Sequence, residues 1–204
     1  GRPVVVFASS REGEEALLLQ VLKENNALAL VESTQHAIKS IATHIQWLIV
    51  PRHPQRFDAV AQLCQEQGFS LSRRSAWADA PAAADIWLGD SLGEMALYFG
   101  LADVALLGGS FARLGGQNLI EAAACGCPVV MGPHTFNFAQ AAELAEAAGA
   151  AFTRDDMAQA VETALSLVQS ESGLARAQAA ARALSMAHRG AAQRTALAVQ
   201  QLLG

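Results

Sequence analysis

Short apolar runs recur along the first 150 residues, most of them separated from the next by a helical pattern and all by a glycine or proline. Pro3–Ala8 (PVVVFA), Trp47–Val50, Val104–Leu107 and Pro128–Met131 are apolar at consecutive rather than alternate positions, Ala84–Leu88 is so after Asp85, and Phe69–Ser72 is a weak strand candidate. That pattern belongs to strands buried on both faces, which is the condition of a parallel sheet. Between them, Glu14–Lys23, Phe57–Gln67, Glu94–Gly100, Asn118–Cys125 and Phe138–Ala148 have helical spacing. Parallel neighbours need a crossover, and a helix is the usual one. The alternation therefore predicts an α/β fold, a Rossmann-like doubly wound parallel sheet. Asn25–Thr43 fits neither period.

From Asp155 the chain becomes alanine-rich and offers no strand candidates. Asp155–Ser170 and Gly173–Leu203 read as packing helices. No internal repeat or linker divides the chain. Residues 1–154 are read as the Rossmann-like body, and residues 155–204 as a C-terminal helical tail of the same domain.

At 204 residues, 52% hydrophobic and 16% charged, the chain can build a full core. Its net charge of -5 argues against broad nucleic-acid binding, which needs a basic face, but not against a nucleotide pocket. Cys64, Cys125 and Cys127 read as reduced core thiols of a cytoplasmic protein, since Cys125-Gly126-Cys127 is too tight for a zinc knuckle. No apolar run approaches the ~20 residues that span a bilayer. Gly1-Arg2-Pro3 leads straight into a strand with no signal peptide and no methionine, the pattern of an excised soluble domain.

Ligands of open parallel sheets bind beyond the carboxyl ends of the strands. Four segments there carry more chemistry than a plain loop needs. After the first strand, Ser9-Ser10-Arg11-Glu12-Gly13-Glu14-Glu15 brings hydroxyls, a cation and a helix start together, which suits an anion or equally a capping box. Pro51-Arg52-His53-Pro54-Gln55-Arg56-Phe57 pins two fork-shaped donors between prolines. Gly89-Asp90-Ser91-Leu92-Gly93-Glu94 reads as a strand end followed by a helix starting near Leu92, whose free N–H groups would favour a phosphate; a simple N-cap at Asp90 or Ser91 fits as well. Gly108-Gly109-Ser110, with Gly115-Gly116-Gln117-Asn118-Leu119-Ile120-Glu121, resembles a phosphate-cradling loop opening a helix, although it is neither GxGxxG nor a Walker loop. Asn118 can offer its amide to a base or phosphate. Glu121 can accept from the hydroxyls of a ribose, or serve only as a carboxylate in a first helical turn. Together the segments fit a ligand with a phosphate and a ribose.

In order and spacing these segments, with Arg73-Arg74-Ser75 and Gly132-Pro133-His134-Thr135-Phe136-Asn137-Phe138, resemble the C-terminal half of bacterial Kdo (3-deoxy-D-manno-octulosonic acid) transferases over residues 1 to about 150. The resemblance implies one half of a GT-B glycosyltransferase, binding the donor CMP-Kdo. It implies CMP contacts at Pro51, Arg52, Leu92, Gly93, Glu94, Asn118, Leu119, Ile120 and Glu121, and it leaves Ser10, Arg11, Arg56 and Ser110 as further donor contacts. No catalytic residue is expected in this chain. The general base, the lipid A precursor site and the membrane association belong to the N-terminal half, at the cytoplasmic face of the inner membrane. The family usually reads Ser-Thr-His-x-Gly-Glu-Glu after the first strand; here Ser10 and Arg11 replace the threonine and histidine.

The implied reaction is displacement at the anomeric carbon of Kdo with CMP leaving, its charge met by preorganised donors. Without an Asp-x-Asp cluster, no metal and no cofactor are expected. The competing expectations are half of another GT-B enzyme using a UDP-sugar, as a transferase or epimerase, and a non-catalytic nucleotide-binding module. A receiver-like module would need a later lysine, and none follows Lys39. A nicotinamide dehydrogenase would need GxGxxG in its first turn.

Overall fold

A computed structural model describes residues 2–32, 45–188 and 200. Seven strands, β1 (Val4–Ser10), β2 (Gln46–Pro51), β3 (Leu71–Arg73), β4 (Ile86–Leu88), β5 (Val104–Leu107), β6 (Val129–Met131) and β7 (Ala151–Thr153), form one sheet in the order β3-β4-β2-β1-β5-β6-β7. Every pairing is parallel, with Val5 opposite Trp47 on one side and Val104 on the other. The helices are α1 (Glu14–Glu32), α2 (Phe57–Glu66), α3 (Met95–Leu101), α4 (Ile120–Ala124), α5 (Ala139–Ala147), α6 (Met157–Gln169) and α7 (Glu171–His188).

The consecutive apolar residues of each strand divide between two cores because side chains alternate across a strand. Val4, Val6 and Ala8 of β1 pack with Leu48, Ala105, Leu107 and Met131 beneath α3, α4, α5 and α7. Val5 and Phe7 face the other way, with Trp47, Ile49 and Leu106 beneath α1, α2 and α6. The alanine-rich tail completes both layers. Met157, Ala160, Val161 and Ala164 of α6 fill one, and Ala181 and Leu184 of α7 fill the other. Small side chains let these helices approach the sheet closely, while Asp156 caps α6 by accepting from the Gln159 amide at 2.8 Å.

The doubly wound parallel sheet stands as the alternation predicts, with several differences in detail. Strand β7 was not anticipated; its three residues (AFT) are too few to show periodicity, and β6 supplies the edge that makes them a strand. Helix α1 runs on past Lys23 to Glu32; the remainder of the ambiguous stretch, 33–43, lies outside the described residues. Helices α3 and α4 begin later than expected, at Met95 and Ile120, with Leu92-Gly93 and Asn118-Leu119 lying before their first turns. Beyond His188 most of the second tail helix also lies outside the described residues. Cys64 and Cys127 are buried thiols, but Cys125, expected in the core, is exposed at the end of α4.

From β1 the chain winds outward on one side to β2, β3 and β4, then returns to the other side of β1 as β5. The crevice at this reversal lies between the carboxyl ends of β1 and β5, at Ser10 and Leu107.

Candidate functional site

All seven strands run in one direction, so the segments singled out in the sequence emerge along one edge of the sheet. At the reversal, Gly108 presses against β1. A Cβ there would stand 2.4 Å from the Ser9 carbonyl oxygen and 2.6 Å from Ser10 Cα, so no other residue fits. Ser9 itself adopts φ 55°, the sole positive φ of a non-glycine residue among those described, where the register of β1 on β2 shifts.

The glycine loop that follows β5 is already filled. Glu14 is fully buried in the first turn of α1, and its carboxylate accepts from four backbone amides: Arg11 at 2.9 Å, Gly109 at 2.8 Å, Phe111 at 3.1 Å and Ala112 at 3.0 Å. The nest of amides likened to a phosphate cradle thus holds the protein's own anion. Ser110 is buried as well, its hydroxyl donating to the Leu107 carbonyl and accepting from the Gly132 amide at 2.8 Å. It knits the β5 and β6 loops together rather than facing the cleft. Asn137 continues that seam, donating to the Leu114 carbonyl at 3.2 Å.

Ser10 and Arg56, grouped in the sequence as donor contacts, meet at Glu15 instead. The Glu15 carboxylate is buried, accepts from Ser10 Oγ at 2.7 Å and receives both arms of Arg56 at 2.6 and 2.9 Å. The Glu15 hydrogen bond raises the Arg56 pKa above its ordinary value. Arg52 behaves differently. Its backbone amide donates to the Ser10 carbonyl at 3.0 Å, while its side chain is exposed with no ion-pair partner among the described residues. Arg11, half-buried, is likewise unpaired there, and its Cγ would lie 3.6 Å from a Cβ at Gly109. Gln117 Nε2 would lie 3.2 Å from the same point.

The turn after β4 is braced from β3. Asp90 is buried and accepts from Arg73 Nε at 2.7 Å, the Ser75 amide at 2.8 Å and Ser75 Oγ at 2.6 Å. Burial by itself would raise the Asp90 pKa; the Ser75 and Arg73 hydrogen bonds outweigh it and bring the group below its ordinary value. Glu94 accepts from Ser91 and from Arg74 at 2.8 Å, which lower its pKa too. Ser91 also bonds the hydroxyl of fully buried Tyr98. The Arg74 guanidinium stands 5.5 Å over the Trp77 ring. Between these anchors Leu92 is exposed, and Gly93, at φ 77°, has open space where a side chain would be. Glu94 therefore belongs to the brace, and Leu92-Gly93 forms the accessible crest.

On the β5 side, Asn118 is exposed and its Oδ1 accepts from the Ile120 amide at 3.0 Å, which leaves the amide nitrogen outward. Glu121 is exposed one turn on, Ile120 half-buried, and Leu119 buried in the core. Pro51 is buried where β2 ends. The structure thus brings Arg11, Arg52, Gly93, Asn118 and Glu121 to one open edge, and turns Ser10, Arg56, Glu94, Ser110 and Leu119 toward the protein. The sequence reading missed Glu14 and Glu15 as buried anchors and Gln117 as a cleft residue. Their signal was two adjacent carboxylates at a helix start beside a glycine loop, a pattern equally expected of capping. Among the described residues, no group of three or more His, Cys, Asp or Glu side chains is placed to hold a metal, and no helix is long and apolar enough to cross a membrane.

No family model matches the chain. It is 46% identical over 205 residues to a 3-deoxy-D-manno-octulosonic acid transferase of Bordetella pertussis, an alignment covering 100% of this chain and 46% of the relative. It is 32% identical over 194 residues to the Haemophilus influenzae protein of the same name, covering 95% and 42%. The chain therefore spans less than half the length of these relatives. Among solved structures, the C-terminal CMP-Kdo binding domain of WaaA from Acinetobacter baumannii superposes with a TM-score of 0.76 at 29% identity, covering 90% of this chain and 89% of that one. Similarity along the whole sequence and an equally extensive match of fold agree: the chain belongs to the 3-deoxy-D-manno-octulosonic acid transferase family and has the fold of one half of a GT-B glycosyltransferase.

Proposed function

We propose that this chain is the donor-binding half of an enzyme that moves Kdo from CMP-Kdo to a lipid A precursor in lipopolysaccharide biosynthesis. The observation that carries the reading is the open edge itself. Two unpaired arginines, a glycine crest and an exposed asparagine and glutamate lie along the carboxyl edge of a domain matched over nine-tenths of its length by a CMP-Kdo binding domain. Arg52 and the crest at Leu92-Gly93 meet the phosphate, while Asn118 and Glu121 meet the nucleoside, Glu121 accepting from ribose hydroxyls.

As CMP leaves, negative charge grows on its phosphate. Arg52, its backbone tied to Ser10 and its side chain free of other ion-pair partners among the described residues, meets that charge. The charge is carried by arginine and backbone amides, and no metal or cofactor enters in this half. The general base, the acceptor site and the membrane attachment at the cytoplasmic face belong to the remainder of the enzyme, so this domain alone binds donor and transfers nothing.

An amide chemical-shift titration with CMP, UMP and AMP tests the reading. Shifts at Arg52, Gly93 and Asn118–Glu121, strongest for CMP, are expected. A stronger response to UMP would make this half of a UDP-sugar enzyme, and no response to any nucleotide would overturn donor binding by the domain.

A further inference from the structure

Sorting the arginines of the carboxyl edge by what they already hold separates three from the rest. Arg56 is bound to Glu15, Arg73 to Asp90 and Asp58, and Arg74 to Glu94. Arg154 donates to Thr163 and to the Thr153 carbonyl. Arg11, Arg52 and Arg113 have no such partner among the described residues, and the first two are neighbours: the Ser10 carbonyl, one residue before Arg11, accepts from the Arg52 amide at 3.0 Å.

The donor has a matching feature. An ulosonic acid carries its own carboxylate on the anomeric carbon, the carbon that bears the phosphate in its CMP ester. Two anionic groups on one carbon call for two cations side by side.

Resting on the donor-binding reading, we propose that Arg11 and Gln117 form a subsite for the carboxylate of the sugar acid, distinct from the phosphate contact of Arg52. Both side chains lie against Gly109, Arg11 Cγ at 3.6 Å and Gln117 Nε2 at 3.2 Å from the position of a Cβ there. A Cβ at 109 would meet both, and the φ of 71° there favours glycine. The main chain at both points is fixed: the Arg11 amide is bound by buried Glu14, whose carboxylate also binds the Gly109 amide. Because Glu14 fills the loop's amides from within, a ligand anion has to be met by side chains at this point. A guanidinium fork and an amide suit a planar carboxylate.

Calorimetric titration of the chain with CMP and with freshly prepared CMP-Kdo tests the subsite. The unaltered chain is expected to bind CMP-Kdo more tightly than CMP. Arg11→Gln should weaken CMP-Kdo about tenfold, the scale of a lost charge-assisted fork, and CMP less than about twofold. Arg11→Lys should retain part of the difference, and Gln117→Leu should lose a smaller part of it. Arg52→Gln should weaken both ligands alike. Equal binding of CMP and CMP-Kdo by the unaltered chain, or equal losses for both in Arg11→Gln, would refute the subsite while leaving donor binding intact. Failure of the unaltered chain to bind either ligand would overturn donor binding, and the subsite with it.

Discussion

Glu15 holds Arg56 by both arms of its guanidinium, at 2.6 and 2.9 Å, with the carboxylate fully buried and Ser10 Oγ as a third donor. The triad ties the start of α1 to the turn after β2, across the ends of two adjacent strands. An arginine in this position is part of the frame of the cleft, not its lining.

Removing Arg56 should therefore act on stability. Arg56→Ala leaves a buried carboxylate with one hydroxyl partner, and a loss of about 2–4 kcal/mol is expected, below the figure for a wholly buried pair because Arg56 keeps 22% exposure. Urea denaturation measures it. Affinity for CMP in the folded variant should stay within about twofold; a selective loss of CMP affinity with unchanged stability would return Arg56 to the ligand site.

The brace around β4 gives the domain an acid-sensitive element. Asp90 titrates below its ordinary value of 3.8 in the folded chain and near that value when unfolded. A depressed carboxyl contributes stability that is present above the unfolded value and is lost as pH falls through the folded one. Glu94, lowered by Ser91 and Arg74, acts in the same direction. Stability should thus decline as pH drops below about 4. Asp90→Asn should lower stability at neutral pH and flatten the decline, as read from urea midpoints across pH. An unchanged acid slope in that variant would exclude Asp90 as a source.

Two glycines of the same edge should respond differently to alanine. At Gly108 the added carbon meets backbone 2.4 Å away, and neither β1 nor β5 can move without breaking the sheet. Gly108→Ala should fail to give a folded domain. At Gly93 there is open space and only the cost of φ 77°, about 1 kcal/mol. Gly93→Ala should fold, with a melting temperature lower by a few degrees, and show weaker CMP binding if the ligand approaches the crest. Normal folding of Gly108→Ala, followed by circular dichroism, would contradict the close approach of the two strands.

Much of the architecture was legible because burial on both faces leaves a plain mark. Runs such as Val4–Ala8 and Val104–Leu107 can be little else than inner strands. β7 left no such mark, since three residues at the sheet edge carry no period. The starts of α3 and α4 were misplaced for a local reason: Leu92-Gly93 and Asn118-Leu119 have ordinary helix-start chemistry, yet both lie before the first helical turn. The four edge segments were found, but their residues were not sorted. Ser10, Arg11, Arg52 and Arg56 look alike in sequence as hydroxyls and cations near a strand end, and only pairing distinguishes them.

The sequence by itself determined the sheet, its parallel sense and the edge at which chemistry gathers, because strand burial and the need for crossovers are written in local periodicity. The tertiary structure decided which polar groups remain for a ligand. Glu14 takes up the amides of a loop 95 residues away, and Glu15 takes Arg56 from 41 residues away. Whether a charge faces the cleft or the frame depends on which buried partner the fold brings to it. Such partners are set by packing across strands, and nothing in the local sequence records them.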